Sequence, residues 1–495
     1  MLLIFKMIFN QNIILICLFT LLIGIFIIML IPSWNTNLLK KCSLLISSII
    51  FLLTLYLWVI FDKSIGHFQL MHISYWIPFL NINFVTGVDG ISLFLIILTS
   101  LLIFLCLLNS WNSVQTNVKE YLLCFLIMEL FLLCVFSIID VFLFYVFFES
   151  VLIPMYLIIG IWGSRERKIR ANYFFFLYTL LGSILMLLSI LYIYSSVGTT
   201  NYEIILTTFF TETEQKILWL TFFASFATKV PMLPMHIWLP EAHVEAPTAG
   251  SVILAGVLLK LGTYGFIRFS IPLFPKASFF FSPLVYAVAT IGIIYTSFTA
   301  IRQTDFKRII AYTSVAHMNL VVLGIFSFNV IGIEGSLLQS LSHGFVASSL
   351  FLIIGVVYER THTRMVKYYG GLVHIMPIYI AIFLFFTMAN IGLPGTSSFI
   401  GEFLILLGCY NQTTTICFFA ATSMVLGGCY SLWLFNRIAY GNLKTQYLST
   451  SYDLNSREFL IFLPLLISTL FVGIYPDVLL NPIHSSINFL FEQII

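Results

Sequence analysis

The chain has 495 residues, of which 60% are hydrophobic and only 9% are charged. A soluble domain carries about 25% charged residues, so a chain with this little charge must place most of its surface in lipid. Its net charge of +3 gives no reason to expect a nucleic-acid partner. The composition therefore excludes a soluble enzyme. It predicts an all-α polytopic membrane protein, because a helix satisfies its own backbone in lipid.

The eight cysteines are scattered, and most of them fall inside apolar runs. No C-x-x-C pair and no cluster of cysteine and histidine occurs, which argues against zinc or an iron–sulfur cluster. The two glycine-rich nucleotide motifs, G-x-G-x-x-G and G-x-x-x-x-G-K-[ST], are also missing from the sequence. We therefore expect this chain to bind no metal and no cofactor of its own.

Fourteen apolar runs are long enough to cross a bilayer, which takes about 20 residues of helix. In chain order they cover residues 11–31, 42–61, 91–109, 119–138, 140–161, 171–196, 217–237, 247–270, 283–301, 306–327, 333–358, 373–410, 414–439 and 458–475. The first run is long and further spans follow it, so we interpret it as a span and not as a signal peptide. The sequence thus predicts about fourteen transmembrane helices.

Two of these runs contain residues that interrupt a helix. The seventh run contains Pro231 and Pro234, and the twelfth contains Pro394 and Gly395. A proline inside a helix removes a backbone hydrogen bond and clashes with the preceding turn. At membrane depth such a break is tolerated only where protein or a wet cavity covers it. We therefore predict that helices 7 and 12 are broken inside the membrane.

Broken helices at matching positions of two halves are typical of inverted repeats with an ion site between them. The two breaks lie five helices apart, so the two halves run in opposite directions. We predict one five-helix repeat in helices 4–8 and a second in helices 9–13. The corresponding regions are residues 1–118 for the first three helices, 119–270 for repeat one, 283–440 for repeat two and 441–495 for the last loop and helix.

The basic residues of the loops predict the orientation of the chain. Sixteen follow odd-numbered helices: Lys40, Lys41, Lys119, Arg165, Arg167, Lys168, Arg170, Arg302, Lys307, Arg308, Arg360, Arg364, Lys367, Arg437, Lys444 and Arg457. Only five lie at the N-terminus or follow even-numbered helices: Lys6, Lys63, Lys216, Arg268 and Lys276. Basic loops stay on the side of synthesis, so the odd loops face the cytoplasm or matrix. Both termini then face the opposite side.

Six ionisable residues lie well inside apolar runs, where a central charge costs about 2.5–3.5 kcal/mol on insertion scales. They are Glu149, Lys229, Lys260, His317, His343 and Glu402. A lysine in a low-dielectric site can lose and regain a proton near neutral pH, and histidine needs little tuning to do so. Such a row could pass protons through intervening water.

Structural interpretations of the same residues stay open. Glu149 and Lys229 could form a structural ion pair, and each histidine could make a hydrogen bond between helices. Glu402 could cap the helix that restarts after Pro394 and Gly395, although it lies too deep in the turns for a cap. Glu129 also looks buried in an apolar run, and the sequence gives it no role.

The residues around the first break carry a family resemblance. The stretch FFASFATKVPMLPMHIWLPEAHVEAPTAGSVILAGVLLKLGTYGF, residues 222–266, resembles the signature of the antiporter-like subunits of respiratory complex I. The segments FYVFFESVLIPMYLIIGIWGSRERK, IIAYTSVAHMNLV and NIGLPGTSSFIGEFLIL add to it, in the order that the family has. The resemblance covers about residues 85–440. It implies fourteen helices with two five-helix inverted repeats.

The resemblance also implies roles for the buried residues. Glu149 and Lys229 would form a coupling pair, and Glu402 would lie nearest the exit. The central relay would consist of Lys260, His317 and His343.

Cofactors, partners and location follow from the same resemblance. The chain would be a subunit of a proton-translocating NADH:ubiquinone reductase without a redox centre of its own. NADH, FMN, iron–sulfur clusters and ubiquinone would belong to other subunits. Its partners would be other membrane-arm subunits, including sister antiporter-like subunits, and lipids. The 51 phenylalanines and the motif match favour the mitochondrial inner membrane over a chloroplast or bacterial membrane. The basic loops would then face the matrix, and both termini would lie in the intermembrane space.

Two other functions compete with this interpretation. A cation/proton antiporter subunit would use the same helices and the same buried residues. A purely structural scaffold would need neither six buried ionisable groups nor two broken helices. Co-purification with flavin and iron–sulfur proteins would separate a complex I subunit from an antiporter.

Overall fold

The computed structural model describes residues 11–444 and 452–494. Lys6 and the two termini, on which the predicted orientation partly depends, lie outside the described residues. The first half contains α1 Ile13–Leu30, α2 Thr36–Ile60, β1 Gln69–Ile77, β2 Ile82–Val88, α3 Gly90–Ser113, α4 Val118–Ser137, α5 Val141–Trp162, α6 Lys168–Val197, α7 Tyr202–Leu206, α8 Glu212–Lys229, α9 Trp238–Glu245 and α10 Thr248–Leu273. The second half contains α11 Pro275–Arg302, α12 Phe306–Ile325, α13 Val330–Thr361, α14 Pro377–Ile391, α15 Ser397–Gln412, α16 Thr414–Ala439, α17 Ser456–Ile474 and α18 Asp477–Ile494.

The prediction of a helical polytopic membrane protein is confirmed. Among the described residues, twelve helices are long and apolar enough to cross a membrane. The seventh and twelfth predicted runs are not among these twelve. The seventh corresponds to α8, which has four charged residues and ends at Lys229, inside the run. The twelfth is divided between α14 and α15, of 15 and 16 residues. The total of fourteen spans therefore stays a prediction.

Two helices occupy the centre of the molecule. The most apolar 18-residue stretch of α10 is 100% buried and that of α13 is 94% buried, whereas the corresponding stretch of α16 is only 22% buried. Close packing at glycine explains part of this. A Cβ atom at Gly256 of α10 would lie 2.3 Å from Leu102 of α3, and one at Gly344 of α13 would lie 2.7 Å from Leu98. The side chains of α10 and α13 are thus shielded from lipid by the surrounding helices.

The structure contains two elements that the apolar pattern does not predict. Between residues 61 and 91, β1 and β2 form an antiparallel hairpin in which Ile73 pairs with Val85. After α17, the helix α18 returns along α3 and α13. The rings of His67, before the hairpin, and Phe489 of α18 lie 3.9 Å apart. The hairpin and the last helix therefore meet on one face of the molecule.

Two cavities show that the loops alternate between two faces. A cavity of about 640 Å³ has a lining that includes Gln115, Trp162 and His362, which follow the third, fifth and eleventh predicted runs, and Thr248, which lies at the start of the eighth. We call the face with this cavity the basic face, because its loops carry most of the basic residues. The opposite face has a cavity of about 340 Å³, whose lining includes His67, Tyr202, Arg268 and Phe489.

Candidate functional site

The first helix interruption follows Lys229 directly. Helix α8 ends at Lys229, and α9 begins at Trp238, with Pro231 and Pro234 in the segment between them. Carbonyl groups in the last turn of α8 have no partner within the helix. One of them, the backbone oxygen of Thr228, accepts a hydrogen bond from Trp238 Nε1 at 2.9 Å. The end of α8 is therefore a defined structure, and it places the Lys229 side chain inside the protein.

The second interruption brings Glu402 close to a glycine. Helix α14 ends at Ile391, and α15 begins at Ser397, with Pro394 in the intervening turn. Gly392 and Gly395 have φ angles of +84° and +94°, which side chains with a Cβ rarely adopt. A Cβ at Gly392 would also lie 2.8 Å from Glu402 Oε2. Gly392, which the sequence pattern did not single out, is thus needed both for the turn and for the carboxyl group.

Glu149 and Lys229 form the first pair of the predicted row. Lys229 Nζ lies 3.8 Å from Glu149 Oε1, which is beyond hydrogen-bond distance. The ammonium group donates instead to the backbone oxygen of Phe148 at 3.0 Å and lies 3.9 Å from the centre of the Phe148 ring. The lysine is only 3% exposed, so water contributes little to the stability of its ammonium form. That form is stabilised by the loose ion pair and by the face of the Phe148 ring.

Lys260 and His343 form the centre of the row. Lys260 is fully buried, and its Nζ lies 2.9 Å from His343 Nδ1. The same ammonium group donates to the backbone oxygen of Ala255 at 2.7 Å. Ala255 belongs to a π-helical turn, Leu254–Leu258, in which the wider winding leaves carbonyl groups available to other donors.

His317 and Glu402 form the far end of the row. His317 Nδ1 lies 3.2 Å from Glu402 Oε1, and the rings of His317 and His343 have centroids 5.8 Å apart. Together with Lys260, these residues make a contiguous chain of four ionisable side chains across α10, α12, α13 and α15. Glu149 and Lys229 stand as a separate pair beside it.

The two groups are connected by close helix packing. A Cβ at Gly262 of α10 would lie 2.4 Å from Val230 and 2.8 Å from the backbone oxygen of Phe226. Helix α10 therefore passes very close to the end of α8. Gly262, two residues after Lys260, packs against Val230, one residue after Lys229. The crossing brings the two lysine-bearing segments together.

Three buried polar residues were not assigned a role from the sequence. His243 of α9 is fully buried and stacks on Phe351 at 4.6 Å, and among the described residues neither ring nitrogen has a hydrogen-bond partner. Gln339 of α13 donates to Glu402 Oε1 at 3.1 Å. Glu129 is fully buried, and in the described part of the chain its carboxyl oxygens have no hydrogen-bond partner. The sequence marked Glu129 by its charge inside an apolar run but gave it no role.

Two further buried ion pairs lie at helix ends. The Asp89 side chain caps α3 and forms an ion pair with Arg268 of α10. Arg360 at the end of α13 lies 2.7 Å from Glu458 at the start of α17. These pairs hold helix ends together and do not touch the row. Within residues 11–444 and 452–494, no group of histidine, cysteine or carboxylate side chains could hold a metal ion.

The comparisons with known proteins define the class. The membrane domain family of NADH:quinone oxidoreductases and Mrp antiporters matches residues 139–427. A chain of respiratory complex I from Thermus thermophilus has 30% sequence identity and a TM-score of 0.87, with 97% of this chain and 99% of that chain covered. A chain of the Mrp complex from Dietzia sp. has the same fold, with a TM-score of 0.86 at 18% identity over 98% of both chains. The fold is that of an antiporter-like membrane subunit.

Curated relatives identify the family more narrowly. A protein of Chondrus crispus is 57% identical over 470 residues, which is 95% of this chain and 96% of the relative. One of Marchantia polymorpha is 56% identical over 472 residues, with 95% of both chains covered. Both are NADH-ubiquinone oxidoreductase chain 4. The chain belongs to the NADH-ubiquinone oxidoreductase chain 4 family.

Proposed function

We propose that the chain is a proton-translocating membrane-arm subunit of NADH:ubiquinone oxidoreductase and that its buried row carries the protons. The observation that supports this most is the contiguous chain from Lys260 through His343 and His317 to Glu402, with direct contacts of 2.9 Å and 3.2 Å at its ends. Burying four ionisable side chains costs free energy. Such residues are therefore rare inside membrane spans, and where they occur they mark proton or ion pathways.

The contacts suggest how a proton would move along the row. Lys260 Nζ would give a proton to His343 Nδ1, which leaves a neutral amine and an imidazolium ion. His343 would pass a proton from its other nitrogen to His317 through water. His317 Nδ1 would then give a proton to Glu402 Oε1. Each step moves one proton. Because each histidine would accept on one ring nitrogen and donate from the other, its proton would have to return to the donating nitrogen, through water or by rotation of the ring, before the next transfer.

Glu149 and Lys229 would control proton transfer along the chain of four from the side. The charged carboxylate attracts the ammonium form of Lys229, and burial opposes it, so a change in their distance would change the proton occupancy of the lysine. The close crossing of α10 over the end of α8 would carry this change toward Lys260. Glu149 and Lys229 would thus act as the coupling pair.

The two-repeat organisation extends this proposal. Residues 119–270 and 283–440 would be the inverted repeats, with helices 7 and 12 as their broken members. The basic face would lie in the matrix, and both termini would lie in the intermembrane space of the mitochondrial inner membrane. One half-channel would then open to each side, and Glu402 would serve the half-channel that releases protons.

Electron transfer would take place in other subunits. The curated relatives are named for NADH and ubiquinone, and we propose that FMN, iron–sulfur clusters and the two substrates are bound by partners. Sister antiporter-like subunits would be the neighbours in the membrane arm. Exposed apolar side chains such as Phe19, Phe298 and Phe418 would face those neighbours or lipid.

Purification from native membranes would test the proposal. We expect the chain to co-purify with flavin and iron–sulfur proteins, and the isolated assembly to take up protons into vesicles when NADH is added. The likeness to the Mrp complex favours a second candidate, a cation/proton antiporter subunit. Purification without redox partners, together with sodium-driven proton movement, would support that candidate and contradict the first.

A further inference from the structure

Gln339 occupies a position between the two helices that carry the end of the row. It lies on α13 four residues before His343, so both side chains project from the same face of that helix. It is 1% exposed, and its Nε2 donates to Glu402 Oε1 of α15 at 3.1 Å. Gly401 makes room for it, because a Cβ at Gly401 would lie 2.7 Å from Gln339 Oε1.

The neighbouring hydroxyl group gives this amide two possible hydrogen-bonding patterns. Ser342 Oγ lies 3.0 Å from Gln339 Oε1 and also 3.0 Å from the backbone oxygen of Gln339. A hydroxyl group has one proton to donate and two lone pairs to accept with, so it can bond to either end of the amide. The amide of Gln339 can therefore rotate without losing its partner on the Ser342 side.

An amide with this freedom suits a carboxyl group that gains and loses a proton. When Glu402 is ionised, Nε2 of Gln339 donates to it, as in the structure. When Glu402 is protonated, the rotated amide presents its oxygen and accepts from the acid. We propose that Gln339 is a positioning residue that holds Glu402 against His317 in both protonation states. This inference rests on the proposed role of Glu402 in proton transfer.

The test uses the complete complex in closed membrane vesicles and measures NADH-driven proton uptake per assembled complex. Gln339→Met keeps the length of the side chain but can neither donate nor accept a hydrogen bond. A hydrogen bond to a charged group is strong enough that we expect uptake to fall about tenfold. The control is Ser340→Ala on the same helix. Within the described residues the buried Ser340 hydroxyl bonds only to the backbone of Leu337, at 2.7 Å. This control should keep its uptake.

Gln339→Glu provides a second readout, the pH dependence of proton uptake, which a purely structural role of Gln339 would leave unchanged. Its carboxyl group would lie beside that of Glu402 and could replace the neutral amide only while it is protonated. As the pH rises it would lose this proton and place a second negative charge against Glu402. We therefore expect uptake by this variant to be confined to more acidic pH than uptake by the parent. Gln339→Glu has nearly the shape of the parent, so it also decides the question if Gln339→Met does not assemble.

Uptake by Gln339→Met equal to that of Ser340→Ala would overturn the inference, and so would a parental pH profile for Gln339→Glu. Glu402→Ala, measured beside them, separates the two proposals. Normal uptake by Glu402→Ala would contradict the role of Glu402 itself. Loss of uptake in Glu402→Ala with normal uptake in Gln339→Met would contradict only the role of Gln339.

Discussion

The two acidic residues of the row are held in different ways. Glu149 has one basic neighbour, Lys229, at 3.8 Å, whereas Glu402 Oε1 is within 3.2 Å of both His317 and Gln339. A pair without a direct hydrogen bond can change its separation at little cost, while a carboxyl group held from two sides keeps its place. Two buried carboxyl groups of the same chemistry are therefore suited to different purposes. Glu149 and Lys229, the loose pair, suit a site that responds to a change in nearby charge. Glu402 and His317, the tight pair, suit a site that must contact its proton donor repeatedly.

The largest effect should come from Lys229→Ala, which removes the basic member of the loose pair. It leaves Glu149 as an unpaired buried charge, and breaking a buried ion pair in this way costs about 3–5 kcal/mol. We expect coupled proton uptake to fall at least tenfold in assembled complex, as quantified on native gels. Lys276→Ala is the control, because its ion pair with Glu212 is largely exposed. Parental uptake by a fully assembled Lys229→Ala complex would remove this lysine from the row.

Substitutions of Glu402 test the tight pair. Glu402→Ala should lower uptake about tenfold, whereas Glu402→Lys should be milder because a buried lysine can still titrate. Glu402→Asp should also be tolerated if water fills the shortened gap. Proton uptake by vesicles, normalised to assembled complex, compares the three. Equal uptake by the alanine, lysine and aspartate variants would mean that Glu402 carries no protons.

Glu149→Gln should have a smaller effect, of several-fold, because glutamine keeps the shape of glutamate but not its charge. The loose pair depends on charge, so NADH oxidation and proton uptake should both fall. Glu129→Gln is the matched comparison, since Glu129 is buried without touching the row, and it should impair activity less. If turnover of Glu149→Gln equals that of the parent, the carboxylate of Glu149 is structural.

The smallest effect on turnover should come from Gly262→Ala, which alters the crossing that joins the loose pair to the rest of the row. The new methyl group would meet the backbone oxygen of Phe226 at 2.8 Å, and overpacking of this kind costs about 1–3 kcal/mol. We expect less assembled complex and a lower thermal midpoint, and a loss of turnover per complex smaller than that of Glu149→Gln. Gly428→Ala, where the nearest atom is 4.0 Å away, should assemble normally. Equal assembly of both variants would show that the crossing is loose.

The sequence could identify the row because charge inside an apolar run is rare and costly. It could not identify the partners, since Lys260 and His343 are 83 residues apart and meet only after the helices pack. Gln339 gave no signal at all, because a neutral amide in an apolar run looks like any other polar residue. The roles of the six predicted residues stay predictions, although the contacts group them into one pair and one chain of four.

The fold shows the same limit. Long apolar runs predict helices in lipid reliably, since no other local structure satisfies the backbone there. The hairpin of β1 and β2 was missed because strand pairing is a non-local contact, and α18 was missed because it lies beyond the last membrane-length run. Gly392 was missed because its positive φ angle depends on where α14 ends and on how close Glu402 comes.

The most direct measurement is NADH-driven proton uptake by vesicles in which Lys260 is replaced by methionine. Methionine fills nearly the same volume but cannot carry a proton, and it removes the link to His343 at the centre of the chain. With the amount of assembled complex equal to that of the parent, we predict that uptake falls at least tenfold. Parental uptake by the fully assembled Lys260→Met complex would contradict the proposal that protons cross through this row.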